Sequence, residues 1–201
     1  MSLKHSYTLL APLYDSMVAR ATASMRQKSL AQLGNVNGKK ILLCGVGTGL
    51  DFEYLPQGAE YHGVDLTPAM LQRAQLRIPA QLDMRLQQGD VTQLPYDHEE
   101  FDIVICHLIL AVIPNPEAML LEVQRVLKPG GEALILDKFL RPGQLALSRR
   151  LLNLFIRHIA TRTDVVFEHV LKHAPQLQLL SDEPTMAGGW FRSIRLQKSV
   201  L

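Results

Sequence analysis

Cysteine is nearly missing from this chain of 201 residues, which has only Cys44 and Cys106. Each lies inside an apolar run that reads as a buried strand, so both are taken as reduced core residues rather than as a disulfide or metal pair. No apolar run reaches the roughly 18 residues needed to cross a bilayer, and Met1 to Leu10 holds polar residues without a signal-peptide core. Together these predict a cytoplasmic protein. Charge of one sign is scarce too: the formal net charge is +2, too small to predict nucleic-acid binding, and there is no aromatic-flanked proline motif of the kind used in base flipping. Internal repeats and low-complexity segments are also lacking. What remains is an ordinary globular composition, 47% hydrophobic and 20% charged, on a chain long enough for one well-buried domain over 1–201.

The apolar residues that are present fall into a regular alternation. Ala11 to Leu33 reads as helical, with Leu13, Val18, Met25 and Leu30 among polar residues, and stops at Gly34. Ile41 to Cys44 is a continuous apolar run of the kind found in a strand covered on both faces. Strands then follow at Tyr61 to Val64, Phe101 to Cys106 and Glu132 to Asp137, with helices at Pro68 to Arg77 and Pro116 to Leu127. Such succession predicts right-handed crossovers and a doubly wound, mostly parallel α/β sheet. Thr67 is placed to cap the first of these helices, and Lys128-Pro129-Gly130-Gly131 to close the second. Beyond Asp137, Gln144 to Ala160 reads as an amphipathic helix and Asp164 to His173 as another. Leu177 to Leu180 and Trp190 to Gln197 read as strands, the second antiparallel at the sheet edge. The chain thus divides into an N-terminal helical lid (1–36), a core (37–138), a helical cap (139–175) and final strands (176–201).

The strongest local signal is Ile41-Leu42-Leu43-Cys44-Gly45-Val46-Gly47-Thr48-Gly49, a strand running into GxGxG with a helix expected to follow. Glycines there let the backbone turn sharply and approach a ligand, although a structural tight turn would use them as well. A dinucleotide fingerprint needs Gly or Ala at position 50, and Leu50 counts against a nicotinamide or flavin dinucleotide. Asp65 ends the second strand, 20 residues beyond Gly45. A carboxylate there can accept from both hydroxyls of an adenosine ribose, or it can serve the helix that begins at Pro68. Asp90, after the third strand, could accept from an adenine amino group or hold a turn.

Taken in order, ILLCGVGTG, YHGVDLTPAML, QQGDVTQLPYDHEEFDIVICHL and VQRVLKPGG resemble the class I S-adenosylmethionine-dependent methyltransferases, above all the ubiquinone/menaquinone C-methyltransferase-like group. The resemblance runs from Tyr7 to Asp137 and includes Ala11-Pro12-Leu13-Tyr14-Asp15, which is similar to that group's N-terminal YD signature. It implies a Rossmann-like sheet of seven strands, the last antiparallel, with S-adenosylmethionine across the carboxyl ends of the strands and no metal. Gly45, Val46, Gly47, Thr48 and Gly49 would then pass close to the cofactor's methionine part, and Asp65 would hold the ribose. Leu66, Met70, Asp90 and Val91 would line the adenine, and Cys106 and His107, just past the fourth strand, would lie by the methionine end and the acceptor. One departure stands out: Leu43 occupies the position, two before the first glycine, where the family carries an acidic residue that helps hold the cofactor's amino group.

A sulfonium methyl is already electrophilic, so positioning and exclusion of water can supply most of the catalysis, and a base is needed only if the nucleophile must lose a proton. His107 is the candidate base, against a structural reading of the same residue. Tyr7 and Tyr14, in the lid, could close over the site or pack within it. From Lys138 to Arg162 there are six Lys and Arg and no Asp or Glu. A cationic helix over 144–160 could therefore touch an anionic membrane surface and admit a lipid acceptor, or its arginines could merely be solvated. The expected acceptor is small and hydrophobic or lipid-like: a quinone precursor, a phospholipid head group or a secondary metabolite. Two other activities fit the same residues, namely binding S-adenosylmethionine without methyl transfer and cyclising its aminobutyrate arm. Oligomeric state is not readable.

Overall fold

The structure, a computed structural model, describes residues 20–141, 143, 165–186 and 189–200. Tyr7, Tyr14 and the amphipathic segment 144–160 lie outside the described residues. A helix over 20–30 (α1) continues into a single 3-10 turn, Ala31–Leu33, and ends at Gly34, whose φ of 62° suits glycine. The strands are β1 (Lys40–Cys44), β2 (Glu60–Asp65), β3 (Asp83–Gln88), β4 (Phe101–His107), β5 (Leu127–Lys138), β6 (Leu177–Met186) and β7 (Phe191–Lys198). The remaining helices are α2 (Pro68–Gln75), α3 (Pro116–Val126) and α4 (Phe167–Leu171).

All seven strands form one sheet in the order β3-β2-β1-β4-β5-β7-β6. The first five are parallel, and β7 runs antiparallel to both β5 and β6. The strand over 190–197 is therefore antiparallel as expected but interior; the edge belongs to β6. Alternation along each strand divides the apolar residues between two cores. Leu42, Cys44, Val104, Cys106 and Ile135 face α3 and α4, meeting Met119, Leu120, Val123 and Phe167. Ile41, Leu43, Ile103, Ile105 and Leu134 face the other way, onto Leu30, Phe52 and Ala74. Burial on both faces is why these strands read as continuous apolar runs.

Three boundaries differ from the sequence reading for identifiable reasons. No long helix follows the glycines; the chain makes turns and a single 3-10 turn, Phe52–Tyr54, because Gly49, with φ of 81°, redirects it. Thr67 makes no side-chain cap on α2; the Met70 N–H that its hydroxyl would accept from donates to the Thr67 carbonyl at 3.0 Å instead. The helix expected over 164–173 is shorter among the described residues, α4 alone. By contrast, Asn115 caps α3, accepting from the Ala118 N–H at 3.0 Å with Pro116 in the first turn. Among the described residues, no helix is long and apolar enough to cross a membrane.

Candidate active site

The strand order reverses between β1 and β4, which opens a crevice at the carboxyl ends of the strands. The glycine turn that leaves β1 lies there. Gly45, Gly47 and Gly49 have φ of 69°, 54° and 81°, in the left-handed region. A Cβ on Gly45 would fall 2.7 Å from Ile109 Cδ1 and one on Gly49 2.7 Å from Phe52 Cε2, whereas one on Gly47 would meet nothing within 4 Å. The outer glycines are thus needed for close packing, and the middle one borders open space.

Hydrogen bonds fix the turn against β2 and α2. Gly45 and Val46 donate to the Val64 carbonyl at 2.8 and 3.1 Å. Arg77 donates to the carbonyl and hydroxyl of Thr48 at 3.0 and 2.8 Å. Asp65 joins the parts: Oδ2 accepts from the Gly47 N–H at 2.8 Å and Oδ1 from the Thr67 N–H. With one bond on each oxygen, a carboxylate of about four lone-pair sites still has capacity for two hydroxyl donors. Beside it Leu66 is 61% exposed and Met70 half-buried, an apolar ledge at the mouth of the crevice. Asp90 acts as a turn residue, its Oδ1 accepting from the backbone and hydroxyl of Thr92 at 2.8 and 2.7 Å. Val91 is buried in the core beneath.

Cys106 and His107 both lie within β4 rather than past it, and their side chains part company. Cys106 is fully buried in the α3-side core, where a hydrogen bond with the Cys44 thiol, burial and nearby negative charge push its own thiol well up. Only its backbone remains for a ligand in the crevice. His107 turns to the α1 side and is 4% exposed. Its Nδ1 lies 2.9 Å from Asp51 Oδ1 and its Nε2 3.1 Å from Ser29 Oγ. With both ring nitrogens engaged, neither is free to take an acceptor's proton, and the general-base reading gives way to a structural one.

Asp51 is the centre of this cluster. Its Oδ1 also accepts from Arg26 Nη1 at 2.7 Å, and Arg26 Nε donates to Thr22 Oγ1 at 3.0 Å. Burial alone would raise the Asp51 carboxyl, but the charges and hydrogen bonds of His107 and Arg26 outweigh it and hold the group far below the usual carboxylate range. Sequence reasoning missed Asp51, Arg26 and Ser29. The available signals were an acid two residues past the last glycine of the turn and Thr22, Arg26 and Ser29 at helical spacing on one side of the segment that ends at Gly34.

At the end of β5, Asp137 accepts from the Ala111 and Lys138 N–H groups at 2.9 and 2.8 Å. Burial raises its carboxyl, and these backbone bonds offset that only in part. Burial likewise lowers the Lys138 ammonium, with Asp137 opposing. Further along the same end, Arg192 donates to Asp182 and Glu168, each at 2.7 Å, and lies over the Phe139 and Phe167 rings, tying α4 to β6 and β7. A surface groove of about 410 Å³ lined by Leu94, Tyr96 and Glu100 lies at the start of β4, the opposite end, away from all of these groups.

A family profile described as a methyltransferase domain matches residues 42–135. The phosphatidylethanolamine N-methyltransferase of Cereibacter sphaeroides is 30% identical over 190 residues, covering 92% of this chain and 93% of that protein. This chain belongs to the class I S-adenosylmethionine-dependent methyltransferases. The phthiotriol/phenolphthiotriol dimycocerosates methyltransferase of Mycobacterium leprae is 36% identical over 128 residues, which span 61% of this methyltransferase and 45% of that one. Among solved structures, the fold is similar to a complex of the Haloferax volcanii Trm112 methyltransferase activator with a putative methyltransferase, with a TM-score of 0.77 at 17% identity, covering 94% and 95% of the two chains. It is also similar to the [4+2]-cyclase SpnF, with a TM-score of 0.74 at 15% identity over 99% and 96%. At these identities the likeness is one of fold.

The methyltransferase's cofactor, S-adenosylmethionine, fits the residues present. The space above Gly47 is open, the Asp65 carboxylate beside it has acceptor capacity left, and exposed Leu66 offers the apolar surface that an adenine ring would cover.

Proposed function

We propose that this enzyme transfers the methyl group to the amine of a phospholipid head group of the phosphatidylethanolamine type. The observation that carries the reading is the extent of the match. The phosphatidylethanolamine N-methyltransferase of C. sphaeroides corresponds over 92% of this chain, so the correspondence extends beyond the core into the flanking segments that would line an acceptor. Demethylmenaquinone methyltransferase of Tropheryma whipplei (strain Twist) is similar over 70% of the chain and M. leprae's enzyme over 61%. The acid-free basic stretch from Lys138 to Arg162 supports the same acceptor, because a phospholipid brings a phosphate to the site.

In this reading Asp65 accepts from the ribose hydroxyls, Leu66 and Met70 cover one side of the adenine, and the backbone of Gly45 to Gly49 passes beneath the methionine arm. Bound S-adenosylmethionine supplies a methyl carbon already activated by its sulfonium. The protein's part is to hold the acceptor nitrogen in line behind that carbon and to keep water out. The amine must arrive unprotonated, and with His107 tied to Asp51 and Ser29 its proton leaves to solvent before the site closes. The peripheral membrane contact expected of 144–160 belongs to this proposal.

Labelled methyl transfer to phosphatidylethanolamine vesicles, with demethylmenaquinone vesicles as the rival, tests the acceptor; label on the quinone alone overturns the reading. Calorimetry with S-adenosylmethionine tests the site: Asp65→Ala should cost about 1–3 kcal/mol of binding, the value of hydrogen bonds to a charged group.

A further inference from the structure

We infer that the buried Arg26–Asp51 pair is the receptor for the amino-acid arm of S-adenosylmethionine, with Asp51 supplying the carboxylate that Leu43 does not. The inference rests on the methyltransferase assignment and goes beyond it to residues outside the expected motifs.

Leu43 is buried in the α1-side core beside Ile41 and Ile105, so β1 presents no acid to the crevice. Asp51 would supply one from the other side of the glycine turn, two residues past Gly49. It stands where three elements converge: the turn itself, α1 through Arg26 and Ser29, and the carboxyl end of β4 through His107. The arm to be bound is a zwitterion, with an ammonium and a carboxylate on one carbon. The site offers the matching pair, a carboxylate and a guanidinium 2.7 Å apart, oriented by neighbours rather than by solvent.

Oδ1 of Asp51 takes the bonds from both Arg26 and His107, which leaves Oδ2 to accept from an ammonium. Arg26 uses Nη1 and Nε on Asp51 and Thr22, which leaves Nη2 to donate to a carboxylate. A purely structural reading is weaker on energetic grounds. Burying an ion pair costs each partner its hydration, and well-packed apolar residues commonly hold two elements together as well or better. His107 and Ser29 act here as positioning residues, fixing Asp51 through its Oδ1.

The test uses two ligands that share the adenosine and the sulfur but differ in the arm. S-adenosylhomocysteine carries the ammonium and carboxylate; 5′-methylthioadenosine carries neither. Titration calorimetry on the full chain should show Asp51→Asn weakening S-adenosylhomocysteine roughly 10- to 100-fold while 5′-methylthioadenosine changes less than about twofold. Should Asp51→Asn fail to fold, Arg26→Lys keeps a cation beside Asp51 but loses the forked donor and is expected to show the same selective loss. Equal weakening of both ligands, or no weakening of either, overturns the proposal and leaves the pair as a clamp for α1. Wild-type protein that binds neither S-adenosylmethionine nor S-adenosylhomocysteine is a different result, which removes the methyltransferase reading itself.

Discussion

Asp51 and Asp137 are both buried at the carboxyl end of the sheet, one on the α1 side and one on the α3 side, and their carboxyl groups are displaced in opposite directions. Desolvation raises both. The difference lies in what each face supplies. Asp51 is hydrogen-bonded to a guanidinium and an imidazole, which favour the charged form, while Asp137 is hydrogen-bonded to backbone N–H groups, and the side chains of Lys138 and His107 act on it only through their charge and too weakly to offset burial. One face of the sheet has been made polar around a charge, and the other has stayed apolar and tolerates one. For this fold, the direction of a buried acid's shift follows the partners more than the depth.

The most severe way to break the contrast is to strip the α1 face of its acid. Asp51→Ala strands Arg26 among buried groups and should cost about 3–5 kcal/mol in urea unfolding at pH 7. Because the native carboxyl titrates below its unfolded value of 3.8, its contribution is fully present above that pH and is lost as pH falls further. The penalty of Asp51→Ala should therefore shrink toward pH 3, and a penalty independent of pH would show that lost packing, not lost charge, is responsible.

On the α3 face the corresponding blow is apolar. Met119→Ala empties a fully buried position and should cost about 2–5 kcal/mol, measured in the same way, with no dependence on pH between 3 and 7. Asn115→Ala, which removes the cap of α3, should cost about 1 kcal/mol. The smallest effect carries the opposite sign. Asp137 is held above its unfolded 3.8, so the native state binds the extra proton and stability falls as pH rises through that range. Asp137→Asn removes that loss, and its melting temperature relative to wild type should climb from pH 4 to pH 7; a flat difference would mean that Asp137 is not raised.

Four of the core strands, β1, β2, β4 and β5, were legible because burial on both faces leaves continuous apolar runs such as Ile41 to Cys44 and Phe101 to Cys106, whereas β3, largely exposed at the sheet edge, carries no such run. The positions of the glycines and Asp65 were legible because they close two neighbouring parallel strands, β1 and β2, whose apolar runs mark where each strand ends. The placement of β7 was not, since alternation along Phe191–Lys198 is compatible with an edge or an interior strand and only pairing partners decide. The choice between the two readings of His107 was not legible for a related reason. Being at the end of a strand next to the crevice says nothing about which face the side chain takes, and its partners Ser29 and Asp51 are 78 and 56 residues away. Thr67 stands at the expected N-cap position of α2, but the Met70 N–H donates to its carbonyl rather than its hydroxyl, a choice that composition does not reveal.

The interior position of β7 also orders the assembly of the molecule. β6 precedes β7 in the chain but, among the described residues, pairs in the sheet only with β7, so its hydrogen-bonding edge must wait until β7 is inserted beside β5. Closing that flank requires pairing between residues as far apart in sequence as Glu132 and Gln197, the kind of long-range contact that slows folding. Until β7 is in place the edges of β5 and β6 that it will cover stay unpaired, and the folding intermediates most prone to stick to one another should be those that have not yet inserted β7.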